Sequence, residues 1–182
     1  MEARNNSTTF QTGLETLLRW DAEVLVAVRR IERRGLRTVM RALTRAGDTP
    51  GWIVHGAVLD LLLPAGQRSV PLMGFAALLA TVSCQAAKRF VRRSRPDAAI
   101  AGFTALAANP DVYSFPSGHS TVAFAIATAA MGTNPALGIV ETTLAAAIAC
   151  SRIYLGAHYP VDVLAGIALG FACGLVALAT FG

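Results

Sequence analysis

Residues 151–181 read SRIYLGAHYPVDVLAGIALGFACGLVALATF. From residue 159 onward the run is apolar except for Asp162, and Arg152, His158 and Asp162 gather at its start. Such a stretch reads as a membrane-crossing helix whose water-facing end carries charged and imidazole groups. The arrangement recurs twice upstream. Lys88, with Arg95-Pro96 beyond it, closes one apolar segment, and Pro116-Ser117-Gly118-His119 opens another.

Working outward, apolar segments fall at roughly 51–65, 70–88, 118–133, 135–153 and 159–181. Some are shorter than the ~20 residues a span usually needs. A site sunk into one face would shorten the apolar part of each, so all five are expected to cross. Pro64-Ala65-Gly66 and Thr133-Asn134-Pro135 read as turns on one side, with loop 89–117 and the connection 154–158 on the other. Counting crossings brings all three polar patches to the same face.

Composition agrees. Across 182 residues, 54% are hydrophobic, only 15% are charged, and mean hydropathy is +0.50. That is too apolar for an ordinary soluble domain. The net charge of +5 comes without a basic stripe interleaved with aromatics, so an anionic membrane surface or substrate is expected and nucleic acid is not. Cys84, Cys150 and Cys173 lie in apolar runs without paired spacing and read as small buried residues. Residues 1–9 are polar and no cleavable apolar leader follows, so no signal peptide is expected.

Residues 10–34 carry Leu14, Leu17, Leu18, Leu25, Val28 and Ile31 among Arg19, Asp21, Glu23, Arg29 and Arg30. This predicts an amphipathic helix along the interface. Residues 36–46, with Arg37, Arg41 and Arg45, repeat the pattern, and Gly47-Asp48-Thr49-Pro50 breaks it. The expected architecture is therefore all-α, a polytopic bundle of about five spanning helices with N-terminal interfacial helices. One domain covers 1–182, divided into an amphipathic region 1–48 and a catalytic core 50–181. Gly166, Gly170 and Gly174 recur every fourth residue and permit close helix approach, either within the chain or in a homo-oligomer.

The polar patches suggest phosphate chemistry. A phosphoryl group in transfer spreads negative charge over its oxygens, so catalysis is mainly positioning and electrostatics. Lys88, Arg95 and Arg152 supply positive charge, and a guanidinium can grip phosphate bidentately. Ser117 and Gly118 place a hydroxyl and backbone N–H groups at a helix start, a natural anion pocket. Two histidines permit a two-step route, with one attacking phosphorus and the other serving as acid and then base. His158 is the expected nucleophile because Asp162 lies four residues on and can orient and stabilise its ring. His119 is then the acid and base. Taken singly, Asp162 and Ser117 would read as helix caps. Arg89, Arg92 and Arg93 read as a solvated membrane-flanking cluster. His55, Asp60 and Glu141 sit in apolar stretches, away from these patches, and are expected to make structural hydrogen bonds.

Lys-x6-Arg-Pro, Pro-Ser-Gly-His and Ser-Arg-x5-His-x3-Asp resemble the three-part signature of the type 2 phosphatidic acid phosphatase superfamily. That superfamily includes lipid phosphate phosphatases, glucose-6-phosphatase and vanadium haloperoxidases. The likeness covers about residues 50–181. It implies a helical bundle and a phosphatase using neither metal nor cofactor, with His158 as nucleophile, His119 as acid/base and Asp162 orienting His158. Lys88, Arg95, Ser117, Gly118 and Arg152 match its phosphate-binding positions. Many bacterial lipid members have six spans. Here the charged region 10–46 replaces the first, which resembles small five-span members, among them polyprenyl-phosphoryl-sugar phosphatases.

The implied substrate is a membrane lipid phosphate: phosphatidic acid, phosphatidylglycerophosphate, or a polyprenyl phosphate or diphosphate. A vanadate-dependent peroxidase and a non-catalytic lipid-phosphate-binding protein are the alternatives on the same fold. The expected location is the cell membrane. Every Lys and Arg except Arg68 maps to the site face, so the positive-inside rule puts that face in the cytoplasm.

Overall fold

The structure is a computed structural model and describes residues 2–31, 33–63, 68–107 and 111–181, without the side chains of residues 2–11 and 14. The described residues form eight helices: α1 (Glu2–Arg29), α2 (Arg34–Ala46), α3 (Thr49–Leu62), α4 (Ser69–Val91), α5 (Pro96–Ala99), α6 (Gly118–Thr133), α7 (Pro135–Tyr154) and α8 (Pro160–Phe181). The five apolar segments are thus α3, α4, α6, α7 and α8. Among the described residues, only α4, α7 and α8 are long and apolar enough to cross a membrane by length and composition. At about 1.5 Å per residue, the 14 residues of α3 and 16 of α6 fall short of a ~30 Å hydrocarbon layer. The expected turn at Pro64–Gly66 lies outside the described residues.

Small side chains explain the packing. α6 is the central helix, burying Ala123, Ala125, Ala127, Ala129 and Ala130, with Phe124 and Ile126 between them. One core cluster joins this helix to Leu72, Met73, Ala76 and Ala80 of α4 and to Cys173 and Ala177 of α8. A second joins it to Ala145, Ile148 and Ala149 of α7 and Val163 of α8. The glycine repeat of α8 faces α6. A Cβ at Gly166 would lie 2.6 Å from the Ser117 carbonyl oxygen, and one at Gly170 would lie 2.5 Å from that of Thr121. At Gly174 it would meet Thr128. Of the two readings of this repeat, close packing within the chain is the one observed, and those glycines are not available to a second copy.

Helix ends then set where the site forms. α6 starts at the Ser117–Gly118 step, and α8 starts at Pro160, whose fixed φ suits a first turn. Arg92 adopts φ 51°, in the left-handed region uncommon for residues with a side chain, and ends α4. The chain turns there, so Arg93 and Arg95 head back into the bundle. α1 and α2 pack on α7, and α1 also reaches α8. Asp21 and Leu25 on α1 are fully buried. The N-terminal region is therefore built into the bundle through these residues, beyond lying along its surface.

Candidate active site

His158 sits in the short connection between α7 and α8 and is 2% exposed. Its Nδ1 lies 2.7 Å from the Ser114 carbonyl oxygen, an acceptor only, so that nitrogen carries a proton and donates it. In the neutral ring Nε2 then keeps its lone pair. Arg95 Nη1 stands 3.5 Å from that nitrogen. Burial lowers the pKa of His158 to about 3, with Arg152 and Arg95 adding to the effect and Asp162 opposing it. At neutral pH the ring is uncharged, the form a nucleophile needs.

Asp162 lies 3.7 Å from His158 Nδ1, longer than a hydrogen bond, so it acts on the ring through its charge. Its own bonds go elsewhere. Oδ2 accepts from the Tyr159 backbone N–H at 3.0 Å, the reach-back half of a capping box at the start of α8. Oδ1 accepts from Arg93 at 2.7 Å. The expected contact with the nucleophile is therefore indirect, and the ring takes its orientation from Ser114.

Arg93 differs from the solvated residue expected for that cluster. It bridges Asp162 and Asp21, donating to Asp21 Oδ2 at 2.6 Å, and its guanidinium lies 4.0 Å from the centre of the Tyr159 ring. Asp21 Oδ1 also accepts from the Val161 N–H at 2.9 Å, taking up a free donor at the α8 N-terminus. Arg89 and Arg92 are exposed, as expected of them.

The cations are held by acceptors near the site. Arg95 donates to the carbonyls of Asp111 at 2.6 Å and Ala157 at 2.8 Å. Arg152 donates to the Thr44 hydroxyl on α2. Lys88 pairs with Asp111 Oδ2 at 2.9 Å and donates to the Tyr113 carbonyl at 3.0 Å. Burial raises the Asp111 pKa, but Lys88, Arg95 and His158 outweigh it and hold the carboxyl below its usual range. Ser117 is fully buried. Its backbone N–H donates to the Asp162 carbonyl at 2.9 Å, and its hydroxyl accepts from Ser120 at 3.0 Å. His119 Nε2 is 2.8 Å from Asp48 Oδ1, at the step between α2 and α3.

A cavity of about 600 Å³ collects these groups. His119, His158, Arg95, Arg152, Gly118 and Asp111 line it. Lys88, Ser117 and Asp162 stand outside that lining, behind the wall. Sequence reasoning missed Asp48, Asp111, Thr44, Ser114 and Asp21. Only Asp21 gave a signal, as an acid on the apolar stripe formed by Leu14, Leu18, Leu25 and Val28. Glu141 and His55 do make the expected structural bond, at 2.7 Å across α3 and α7.

The chain has relatives among known proteins. The decaprenylphosphoryl-5-phosphoribose phosphatase of Mycobacterium tuberculosis (strain H37Rv) is 35% identical over 165 residues, 87% of this chain and 89% of that protein. The undecaprenyl-diphosphatase of Sulfolobus acidocaldarius is 30% identical over 139 residues, 74% of this chain and 66% of that protein. In structure, the chain resembles a transmembrane PAP2-type phosphatidylglycerolphosphate phosphatase from Bacillus subtilis. The TM-score is 0.72 at 25% identity, covering 91% of this chain and 86% of that one. An all-helical membrane bundle with these relatives defines a phosphatase acting on lipid phosphates. The model of the PAP2 superfamily matches residues 70–182, and the chain belongs to that superfamily.

Proposed function

We propose that the chain removes the terminal phosphate from a polyprenyl-linked lipid through a phosphohistidine on His158. The observation that carries this reading is one cavity in which His119 and His158 meet Arg95 and Arg152, and which continues into an apolar groove beside Met73, Ala77 and Leu78. The names of the relatives support the prenyl chain.

The mechanism follows from the donors and charges. Arg95 and Arg152 take the equatorial phosphate oxygens, with Lys88 adding charge from behind and the Gly118 N–H pointing from the start of α6. His158 Nε2 attacks phosphorus in line, forming the N–P bond as the P–O ester bond breaks. Burial, with Arg152 adding and Asp48 opposing, lowers the pKa of His119 to about 4. The negative charge of the bound phosphate must therefore favour its imidazolium form, which then gives its proton to the departing oxygen. A water then enters, His119 takes its proton, and the hydroxide displaces His158 to leave inorganic phosphate. Asp162 and Ser114 keep the His158 ring in the required tautomer. No metal or cofactor takes part in this scheme.

A phosphate-release panel across phosphatidic acid, phosphatidylglycerophosphate, polyprenyl phosphates and polyprenyl diphosphates, each with and without EDTA, tests the reading. Polyprenyl substrates should turn over fastest, insensitive to EDTA. His158→Ala should abolish release. Unchanged release by that variant, or preference for diacylglycerol lipids, would contradict the reading.

The chain is proposed to act as one domain in the cell membrane with the site on the cytoplasmic face, on the strength of the Lys and Arg asymmetry. In a cysteine-free background, Thr104→Cys should resist impermeant thiol reagents in intact cells and react after lysis. Ready labelling in intact cells would reverse the orientation. With the glycine repeat of α8 occupied by α6, a homo-oligomer would need another face.

A further inference from the structure

The cavity extends beyond the phosphate cradle. It runs down between α3 and α4 past Gly56, Ala57, Gly74 and Ala77, an apolar groove of the kind a hydrocarbon chain fills. One polar cluster interrupts it. Trp52 and His55 of α3 both line the groove, their rings edge to face with centroids 5.6 Å apart. His55 Nε2 is bound to Oε1 of Glu141 on α7, behind the wall.

Three polar atoms in this cluster are unfilled. Glu141 is 0% exposed, and its Oε2 has no hydrogen-bond partner among the described residues. The buried indole Nε1 of Trp52 has none either. His55, 29% exposed, uses only Nε2, leaving Nδ1 without a partner among the described residues. Polar atoms left unpaired in an apolar setting cost free energy. A tie between α3 and α7 would need only the imidazole and one carboxylate oxygen. It would not call for a donor on the groove wall as well.

Depth identifies what such atoms would meet. Asp48, bonded to His119, immediately precedes α3, so the head of that helix marks the level of the phosphate cradle. Trp52 and His55 lie four and seven residues further on, about 6 and 10 Å of helix rise. That interval is occupied by whatever joins the scissile phosphate to the hydrocarbon.

We propose that Trp52, His55 and Glu141 form a second polar subsite, which binds an oxygen-rich linker between the terminal phosphate and the apolar chain of the lipid. The Trp52 N–H donates to a linker oxygen. His55 Nδ1 pairs with a hydroxyl or an anionic oxygen according to its protonation. Glu141 holds the imidazole in place. The subsite therefore favours a lipid whose phosphate is carried on a pentose or other polar unit over one whose phosphate is attached directly to the chain. This rests on the phosphatase reading above and adds the substrate class.

Two lipids of equal chain length test it: a polyprenyl phosphodiester bearing a 5-phosphopentose, and a polyprenyl monophosphate. Trp52→Phe removes the donor and keeps an aromatic ring. The double variant His55→Phe/Glu141→Leu removes both members of the buried pair, so no charge is left alone. Each should lower kcat/KM for the pentose lipid about tenfold or more, equivalent to about 1.4 kcal/mol, while leaving the monophosphate nearly unchanged. Equal losses on both lipids, or no loss on either, would overturn the subsite. If the double variant fails to fold, Trp52→Phe carries the test.

Binding separates this inference from the reaction itself. In the His158→Ala background, the pentose lipid should raise Tm more than the monophosphate, and Trp52→Phe should erase the difference. If that holds while the native enzyme releases phosphate from neither lipid, the subsite stands and the phosphatase reading falls. If release proceeds but Trp52→Phe leaves the Tm difference intact, the subsite falls and the phosphatase reading stands.

Discussion

His119 is the residue whose proposed role depends most on the leaving group. Its Nε2 sits on Asp48 Oδ1 at 2.8 Å, so Asp48 orients the ring beside the cavity. An alkoxide-like leaving oxygen needs a proton, whereas a nitrophenolate does not. His119→Ala should therefore cost about 10²–10⁴-fold in kcat/KM, which reports the step that breaks the ester bond, on a prenyl substrate, and much less in kcat/KM on p-nitrophenyl phosphate. Equal losses on both would remove His119 from the acid role. The residues of the three polar patches were legible because their spacing is fixed in sequence. Their partners were not. Asp48, Asp111 and Ser114 come from a helix junction and a long loop whose path no local pattern encodes. A solvated arginine cluster and a buried bridge look alike in sequence, so Arg93 was read as the first. The left-handed turn at Arg92 turns it inward.

At the scale of elements, the three longest apolar helices were visible from hydropathy, while α3 and α6 were visible as segments but fall short of a span's length. α6 needs no full span to be stable, since α4, α7 and α8 cover it. α1 matters more than its amphipathic pattern suggested. Asp21 joins it to the head of α8 through Val161 N–H and to Asp162 through Arg93, so one helix outside the family-model match braces the wall behind His158. Asp21→Asn retains an acceptor for Val161 and loses the charge facing Arg93. It should lower kcat by about 10- to 100-fold with little change in KM, because small errors in position are costly in the transition state. It should also lower Tm, because a buried ion pair loses one partner. A loss confined to Tm, with kcat intact, would make Asp21 a packing residue only.

For the whole molecule, the bundle does two things at once. It draws the ends of α4, α6, α7 and α8 together, so that cations and imidazoles spread along the sequence share one cavity. It also leaves α3 apart from α4 along a groove that a lipid chain could enter. Counting apolar segments and noting which ends carried polar patches was enough to anticipate the first. The second is a gap between α3 and α4 that forms only when the helices pack, and periodicity carries no trace of it. The central claim is that phosphate passes through His158. Its most direct test is to quench the enzyme in alkali during turnover of a polyprenyl substrate and map phosphoryl groups by peptide mass spectrometry. A base-stable, acid-labile phosphoryl group on the peptide containing His158, absent from His158→Ala, is the predicted result. Turnover with that peptide unmodified and the phosphoryl group on another residue would contradict it.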